Sequence, residues 1–498
     1  MNRYRLEIIV FITGAVVMAL ELVGSRIVAP YLGTSIYVWT SLIGVILASL
    51  SLGYYWGGRL ADKNPGYKTF SLLILSSAIF TGIIGIIKIP VLDAVCRFVP
   101  DIRASAVIAA TLLFAPASVL LGTISPYAIR LRMENLEHSG ATVGRLYAIS
   151  TVGSIIGTFA AGFFLISFLG SRNILIFLSL ILFAVYFLAC PGNNSRTGKG
   201  IAFFLAALLL STHFFLASNS GGTTIDIDTK YSRILIEEMT ATGIGKKVRL
   251  VRVDRNWAQG AVIIGEPDEL FFRYSGFYRL ADHFYPGNRN ALLIGGGTYM
   301  LARDYIKRNP GNHMDVVEID PDFTRLAKKY FYLEDDKRIT SIHEDGRTFL
   351  KRSTNKYDVM FIDVFKSSAS PPFQMTTVKT MRSAANLLTE NGVLMTNIYS
   401  AIQGDKGKFF RAAYATIKSV FPRVYVFPVQ YPLNGEEAQN IIIVALKSDM
   451  PPDIVRFDPE MEKYLSHMWK YEIDCDLPVL TDEFAPVEHY LVDVIKDL

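Results

Sequence analysis

Seven long apolar runs dominate the first 216 residues of the 498-residue chain. Each is close to the roughly 20 residues that an α-helix needs to span a hydrocarbon core about 30 Å thick. The first run is too long, and too poor in a small-residue cleavage site, to be a signal peptide that is removed. The pattern therefore predicts a multi-pass transmembrane helical domain over residues 1–217, with about seven spans. The runs are Ile8–Val28, Val38–Tyr55, Phe70–Ile87, Ala104–Ile124, Leu146–Leu169, Ile174–Ala189 and Ile201–Leu216.

Basic residues flank these runs on one side of the predicted membrane. They predict a cytoplasmic N-terminus, because Lys and Arg are enriched in cytoplasmic loops. Seven full crossings would then place the rest of the chain outside, away from the metabolites that are made in the cytosol. We therefore expect that one run does not cross fully and that the soluble domain is cytoplasmic. The basic residues are Arg3 and Arg5 before the first run, Arg59, Lys63 and Lys68 after the second, Arg130 and Arg132 after the fourth, and Arg196 and Lys199 after the sixth.

The bulk composition excludes some classes of function. The net charge is only +5 and comes partly from short loops between apolar runs, so it does not predict a nucleic-acid partner. The three cysteines, Cys96, Cys190 and Cys475, are far apart and offer neither a disulfide framework nor the spacing of a metal site. We predict a linker over residues 218–225, a small β subdomain over 226–285 and a catalytic domain over 286–498.

The soluble region changes its pattern near Asn290. Before it, "RILIEE", "KVRLVRV" and "GAVIIG" are short β-rich segments that predict a small antiparallel sheet. After it, "ALLI", "MDVVEID", "ITSIHEDG", "YDVMFID" and "GVLMTNI" are strand-like, with helical segments such as "YMLARDYIKR" between them. Strands that alternate with helices predict a parallel sheet covered on both faces. The fold class is thus a transmembrane α-helical domain plus a Rossmann-like α/β domain, with the small sheet before it.

Four consecutive predicted strands end in glycine or in an acidic residue. Ligands of such sheets bind beyond the carboxyl ends of the strands, and an acid about twenty residues after a glycine turn usually binds ribose hydroxyls. One aspartate alone could be a helix cap, but four such ends together favour a nucleoside site. Because the chain has no G-x-G-x-x-G cradle or Walker lysine, adenosine without phosphates fits better than NAD or ATP. The residues are Gly295, Gly296 and Gly297, then Glu318, then Asp345 and Gly346, then Asp363.

These segments resemble the spermidine synthase family of aminopropyltransferases in its membrane-fused form, with a Rossmann domain of the methyltransferase type. The strongest segments are "LIGGG", "VVEIDP", "AKKYF", "DGRTFL" and "YDVMFID", and "KYSRILIEE", "VAPYLGTSIYVWTSLIGV" and "LTDEFAPVEHYLV" extend the resemblance over nearly the whole chain. The resemblance implies S-adenosylmethionine or its decarboxylated form as co-substrate, with no permanently bound cofactor and no metal.

The resemblance also implies roles for individual residues. Glu318 would bind the ribose, and Asp345 with Gly346 would read the adenine edge. The glycine run, Thr298, Gln259 and Ser232 would complete the nucleoside site. Tyr274 would line the pocket of the amine acceptor. Asp363 would be the first acid of a gate-loop segment D-x-x-D, and "SSASPPFQMTT" (residues 367–377) would be the mobile gate, although a Pro/Ser-rich connector is the simpler interpretation.

Two positions depart from the family pattern. Thr298 follows the glycines where the family commonly has an aspartate that holds the ammonium of the decarboxylated donor, and Lys366 replaces the second acid of D-x-x-D. Together they change the local formal charge by about +3, and each near-contact charge is worth up to about 4 kcal/mol at an effective dielectric of ~20. A cationic substrate should therefore be disfavoured and an anionic one favoured. Lys366 could be a base, an anion clamp or a solvent-facing gate residue.

Three functions follow from these observations. The first is an aminopropyltransferase with Asp363, Lys366 and Tyr274 as catalytic residues, and release of methylthioadenosine. The second is an enzyme that acts on intact S-adenosylmethionine, by aminocarboxypropyl or methyl transfer or as a lyase. The third is a non-catalytic nucleoside sensor that gates a transporter-like membrane half. The predicted partners are the lipid bilayer and either a small-molecule amine or a membrane-confined acceptor, and a homodimer is left open.

Overall fold

The computed structural model describes residues 3–33, 35–99, 101–133, 139–190, 196–218, 224–253, 258–364, 371–449 and 459–496. The chain divides into two compact units, Met1–Ile234 and Leu235–Leu498. The first unit is built from long helices, and the second contains the β-sheets and the shorter helices.

The first unit contains seven long helices and ends in a strand, β1. Among the residues that the structure describes, six helical segments are long and apolar enough to cross a bilayer, and Asn173–Ala189 is a shorter apolar helix. A π-helical turn, Ala161–Leu165, separates the fifth helix from the sixth, and the sixth helix is kinked at Gly170, where φ is +70°. The elements are α1 (Arg3–Leu32), α2 (Ile36–Lys63), α3 (Tyr67–Phe98), α4 (Ile102–Arg132), α5 (Ser139–Ala160), α6 (Ile166–Ala189), α7 (Arg196–Ser218) and β1 (Thr224–Asp228).

Small residues hold the long helices together. A Cβ placed on Gly53 of α2 would lie 2.3 Å from the carbonyl oxygen of Val119 in α4, and one on Gly153 of α5 would lie 2.1 Å from that of Phe11 in α1. No side chain fits at these distances, so the backbones are in direct contact. Close approach through small residues is the usual way in which helices pack where lipid removes the hydrophobic driving force.

The first unit has two distinct ends, which its ion pairs and hydrogen bonds identify. Near the N-terminal end, Glu7 of α1 pairs with Arg145 of α5 at 3.1 Å, and Asp62 of α2 pairs with Arg130 of α4 at 3.1 Å. Since α1 and α5 both begin at this end while α2 and α4 both finish there, the helices alternate in direction. The basic residues that flank the apolar runs belong to this same end.

The chain leaves the first unit at the other end. His213, late in α7, lies 3.1 Å from the side-chain oxygen of Asn173, early in α6. Asp228 in β1 accepts hydrogen bonds from the backbone N–H and the hydroxyl of Ser171, at 2.8 and 2.9 Å. Arg26, in the last third of α1, donates to the carbonyl of Lys230. These contacts place Asp228 and Lys230 at the end of the first unit that is opposite the basic N-terminal end. A cytoplasmic soluble domain stays a prediction. In addition, β1 begins at Thr224, within the predicted linker.

The second unit carries two sheets. The small antiparallel sheet that the sequence predicts is present, with β2 paired to β3 and β3 paired to β4. The large sheet has seven strands in the order β10-β11-β9-β8-β5-β6-β7. The strands are β2 (Arg233–Ala241), β3 (Lys246–Arg252), β4 (Ala258–Ile263), β5 (Asn290–Ile294), β6 (His313–Val317), β7 (Ile339–Ile342), β8 (Tyr357–Ile362), β9 (Leu388–Ser400), β10 (Arg423–Pro428) and β11 (Gln439–Leu446).

The large sheet confirms the predicted Rossmann-like class and corrects one detail. Strands β5 to β9 are parallel, as predicted, but β11 pairs antiparallel with both β9 and β10. The sheet is therefore mixed, with an antiparallel pair at one edge. The helices of this unit are α8 (Arg273–Phe277), α9 (Leu280–Phe284), α10 (Met300–Arg308), α11 (Pro321–Tyr330), α12 (Gly346–Arg352), α13 (Val378–Leu387), α14 (Lys408–Lys418), α15 (Pro459–Leu465), α16 (Val487–Tyr490) and α17 (Val492–Ile495).

The strand order determines where a ligand can bind. The chain runs outwards from β5 through β6 to β7 in one direction, and from β8 to β9 in the other. The switch in strand order therefore lies between β5 and β8. In open sheets of this kind a crevice forms beyond the carboxyl ends of the strands at such a switch. The predicted site residues follow these same strands.

The exit of the chain from the first unit can be tested with the cysteine that lies exposed in the second unit, Cys475. In the full chain with Cys96→Ser and Cys190→Ser, we expect a membrane-impermeant maleimide to label Cys475 in intact spheroplasts. A Pro65→Cys variant without other cysteines places its thiol between α2 and α3, at the N-terminal end. It should be labelled only after permeabilisation. If both thiols need permeabilisation, one helix does not cross, and the cytoplasmic prediction is right.

Candidate active site

The glycine turn after β5 lies directly against the end of β8. Gly295 has a φ of +94°, and a Cβ there would lie 2.3 Å from the carbonyl oxygen of Asp363. Gly297 also has a positive φ, +49°, and no atom lies within 4 Å of the place its Cβ would take. Both conformations favour glycine. The turn thus brings an open stretch of backbone next to Asp363.

Glu318, at the end of β6, holds this turn with its carboxylate. One oxygen accepts hydrogen bonds from the backbone N–H groups of Gly296 at 2.9 Å and Gly297 at 3.1 Å, and the other accepts from that of Asp320 at 3.0 Å. Burial raises the pKa of Glu318, although the three N–H donors act in the opposite direction. The structure therefore places Glu318 beside the turn, and its binding to a ribose remains a prediction.

Asp345 and Gly346 begin helix α12 close to the end of β5. One oxygen of Asp345 accepts from the backbone N–H of Thr348 at 2.9 Å and from its hydroxyl at 3.0 Å, so Asp345 is a helix cap. A Cβ on Gly346 would lie 2.5 Å from a methyl group of Ile294, which explains the need for glycine. The recognition of adenine by this pair stays a prediction.

The environment of Asp363 differs from that of Asp345, which caps a helix. Tyr274, Tyr278 and Asn397 face its carboxyl group. Burial raises the pKa of Asp363 to about 6, although these three neighbours act to lower it. The hydroxyl of Tyr278 is itself buried without a hydrogen-bond partner among the described residues. Oδ1 of Asp363 and Oδ1 of Asn397 are both buried, and neither has a hydrogen-bond partner among the described residues. Two buried acceptor atoms therefore lie at the end of the central strands and match a ligand that carries N–H groups.

Aromatic rings lie beside Asp363. Tyr274 stacks on Phe272 with ring centroids 5.8 Å apart, and its ring meets that of Tyr278 edge-on at 6.3 Å. Burial and the nearby Asp363 raise the pKa of both tyrosines well above the usual value, so they keep their protons and can donate. Tyr274 thus lies beside Asp363, as the prediction of an acceptor pocket requires.

Thr298 connects the glycine turn to the small sheet. A Cβ on Gly260 in β4 would lie 2.3 Å from the methyl carbon and 2.8 Å from the hydroxyl of Thr298, so the two are in direct contact. Gln259 precedes Gly260 in the same strand, which brings this predicted nucleoside-binding residue to the segment that touches the turn.

The roles of two other predicted site residues, Ser232 and Lys366, stay predictions. Ser232 belongs to the first unit, where its backbone N–H donates to the hydroxyl of Thr229 at 3.0 Å. Lys366 lies outside the described residues, as does the predicted gate up to residue 370. The described part of the gate includes a short 3-10 helix, Phe373–Met375.

Sequence reasoning missed two residues of this pocket, Tyr278 and Asn397. Tyr278 follows Tyr274 by four positions, which is the spacing of neighbours on one helix face. Asn397 is a polar residue within the predicted strand "GVLMTNI", and it donates to the side-chain oxygen of Asn440 at 3.2 Å. A polar residue in an otherwise apolar strand could have indicated a functional role for Asn397.

Comparisons with known proteins show which family the sequence resembles. Residues 276–453 match the family model of the spermine/spermidine synthase domain. The chain is similar to the polyamine aminopropyltransferase of Vibrio vulnificus, with 30% identity over 236 residues that cover 44% of this chain and 75% of that protein. It is also similar to polyamine aminopropyltransferase 2 of Aquifex aeolicus, with 21% identity over 447 residues and 86% of each chain covered. That alignment is longer than the second unit and so extends into the helical unit.

Among solved structures, a probable spermidine synthase from Corynebacterium glutamicum is similar over 47% of this chain and 83% of its own, with 20% identity and a TM-score of 0.40. The sequence matches confirm the resemblance that the motifs indicate.

The raised pKa of Asp363 predicts that replacing this residue with asparagine increases the free energy of unfolding, relative to the wild type, by an amount that depends on pH. Its pKa rises from an ordinary 3.8 to about 6 in the folded protein, so the stability that protonated Asp363 contributes is present below about pH 4 and is lost as the pH rises through 6. Asp363→Asn cannot ionise. We expect its free energy of unfolding, relative to the wild type, to rise between pH 4 and pH 7.5 by up to about 3 kcal/mol.

Thermal unfolding of the detergent-solubilised protein at both pH values measures this difference. Asp335→Asn, which removes a carboxylate whose side chain is 90% exposed, is the control for the loss of one acid. A difference between Asp363→Asn and wild type that does not change with pH would contradict the buried, proton-binding state of Asp363.

Proposed function

The chain belongs to the spermine/spermidine synthase family of polyamine aminopropyltransferases, and we propose that it transfers an aminopropyl group from decarboxylated S-adenosylmethionine to an amine, with release of methylthioadenosine. The enzyme class, a transferase of alkyl groups other than methyl, follows from the family. The observation that carries the specific proposal is the placement of Asp363, with a raised pKa and buried acceptor atoms around it, at the turn that the nucleoside would occupy.

The reaction is an in-line displacement at carbon. The nitrogen of the acceptor amine attacks the carbon bound to the sulfonium sulfur, and the carbon–sulfur bond breaks with its electron pair going to sulfur. The leaving group is a neutral thioether, so no covalent enzyme intermediate is required. The proton lost by the attacking amine goes to the carboxylate of Asp363. A base with a pKa of about 6 is mostly ionised at neutral pH and is still able to accept a proton.

The other residues of the site would position the two substrates. The open backbone at Gly297 leaves space for the nucleoside, with Glu318 at the turn and Asp345 at the start of α12 as the acids proposed to bind it. Tyr274 and Tyr278 would enclose the acceptor beside Asp363. Positioning of this kind contributes much of the rate of a two-substrate reaction, since it removes the entropy cost of bringing the reactants together.

The acceptor oxygens of Asp363 and Asn397 support the decarboxylated donor over the intact one. Both oxygens require hydrogen donors, and an aminopropyl ammonium or an amine supplies them. The intact donor carries an additional carboxylate. Near these oxygens that carboxylate would bring negative charge and further acceptor atoms, and it would supply no hydrogen donor. The opposite expectation came from Thr298 and Lys366. Thr298 is uncharged and packs against Gly260, and Lys366 lies outside the described residues.

We also propose that the helical unit embeds the enzyme in the cell membrane as a multi-pass protein. Six apolar helical segments support this by their length and composition. The acceptor would then be either a small soluble amine or an amine confined to the membrane, and the proposed chemistry is the same for both.

A product assay tests the activity directly. The purified full chain is offered a panel of diamines and polyamines with either decarboxylated or intact S-adenosylmethionine. We expect methylthioadenosine to appear only with the decarboxylated donor and an amine. Asp363→Asn should lower the rate by at least 100-fold, because it removes the base, while Asp335→Asn should leave the rate unchanged.

The other products would identify the alternatives. Methylthioadenosine from the intact donor would indicate aminocarboxypropyl transfer or lyase activity, and S-adenosylhomocysteine would indicate methyl transfer. No turnover with either donor, together with nucleoside binding in calorimetry, would support a sensing domain. Each of these outcomes contradicts the proposed aminopropyl transfer.

Thr298 offers a test of donor recognition. Thr298→Asp restores an acid at the last position of the glycine turn, so we expect the KM for decarboxylated S-adenosylmethionine to fall about threefold to tenfold through attraction of the cationic arm. Thr298→Asn has nearly the same shape without the charge and is the matched control. Steady-state kinetics at two salt concentrations measure the effect, which should weaken at high salt. An equal change in both variants would show that shape, and not charge, determines it.

A further inference from the structure

Tyr299 adopts a backbone conformation that is unusual for its residue type. It follows the glycine turn directly and begins helix α10, with φ of +59° and ψ of +16°. Among the described residues only one other residue besides glycine, Tyr332, has a positive φ. The left-handed region is costly for any residue with a Cβ, and glycine avoids this cost. A fully buried tyrosine at such a position is expected to make contacts that glycine cannot make.

The ring of Tyr299 supports the glycine turn from below. A Cβ on Gly296 would lie 2.8 Å from one carbon of this ring and 3.1 Å from another, so the backbone of Gly296 rests on the ring. The N–H of Gly296 is at the same time bound to Glu318. The turn is therefore held from two directions, by a carboxylate and by an aromatic ring.

The hydroxyl of Tyr299 connects the turn to the loop that carries Asp345. It lies 2.7 Å from the hydroxyl of Thr324 in α11, and that hydroxyl lies 3.0 Å from Nε2 of His343. Tyr299 and Thr324 are buried, and His343 is exposed two positions before Asp345. Two hydrogen bonds thus connect Tyr299, beneath the glycine turn, to His343, which lies two residues before Asp345 in the chain.

We propose that Tyr299 is a positioning residue that fixes the separation between the glycine turn and the Asp345 loop, which are the two walls of the nucleoside site. The inference rests on the proposed function, because it assumes that a nucleoside binds between these walls. Contact with the ring fixes the position of the glycine turn. The hydrogen bonds from Tyr299 through Thr324 to His343 fix the position of the Asp345 loop relative to that turn. Tyr299 touches neither reacting atom, so it should affect nucleoside binding more than the chemical step.

The test separates the hydroxyl from the ring. Tyr299→Phe and Thr324→Val each remove one hydroxyl of the chain while keeping the shape, and Thr324→Ser keeps the hydroxyl. We expect Tyr299→Phe and Thr324→Val each to weaken methylthioadenosine binding by about threefold to tenfold. The double variant should bind no more weakly than either single one, because the two hydroxyls act as one unit. Thr324→Ser should bind like the wild type, and kcat should stay within about twofold in all of them.

Tyr305→Phe is the matched control. Tyr305 is a fully buried tyrosine in the same helix, α10, whose hydroxyl donates to Asn288 and accepts from Asn312, away from the turn. Its variant should lower the melting temperature and leave methylthioadenosine binding unchanged. Calorimetry on the full solubilised chain gives the dissociation constants, and thermal unfolding gives the stability.

The outcomes distinguish this inference from the proposed function. If the wild type binds methylthioadenosine and Tyr299→Phe binds it equally well, with only a lower melting temperature, Tyr299 is a core residue and the inference is overturned. If the losses of binding free energy add up in the double variant, the two hydroxyls do not act as one hydrogen-bonded unit, and this part of the inference is overturned. If the wild type binds neither methylthioadenosine nor a sulfonium nucleoside, the proposed function itself fails.

Discussion

The contact between Gly295 and Asp363 determines the geometry of the whole candidate site. It joins the ends of two neighbouring parallel strands, β5 and β8, at the point where the strand order switches. Because any Cβ on Gly295 would collide with the carbonyl oxygen of Asp363, this contact exists only with glycine. The nucleoside turn and the proposed base are therefore held together by the backbone of the central sheet, which is the most rigid support that the fold offers.

Two acids at this place have different environments, and the difference supports the separate roles proposed for them. Glu318 receives three backbone N–H bonds, so its oxygens are used within the protein and maintain the turn. Asp363 keeps a buried oxygen with no partner among the described residues, next to a second one on Asn397. Burying an acceptor in this way costs free energy. A bound ligand that donates a hydrogen bond to this oxygen would offset that cost, which favours Asp363 as the group that contacts a substrate.

Much of the second unit could be predicted from the sequence, because strands with strong apolar runs end in recognisable residues. The ends of β5, β6, β7 and β8 lie where the motifs placed them. The antiparallel edge formed by β10 and β11 was not predicted, since the pattern of an apolar strand does not indicate the direction of its neighbour. Asn397 was missed for a related reason, as the register of β9 decides which of its residues reaches Asp363. Asp345 was predicted to bind a ligand. The structure shows that it caps a helix, and its binding to a ligand stays a prediction.

The helical unit raises the question of how the donor reaches the site. Its basic residues lie at the N-terminal end, whereas Asp228 and Lys230 hold the departing chain at the other end. Decarboxylated S-adenosylmethionine has a fixed positive charge on sulfur and does not cross a hydrocarbon core unaided, because a charge in that medium is costly. A second unit on the cytoplasmic side would need only an anchor, and one on the opposite side would need a donor that is carried across. The two arrangements therefore make different demands on the helical unit, since the first requires only an anchor and the second requires a route for a cation.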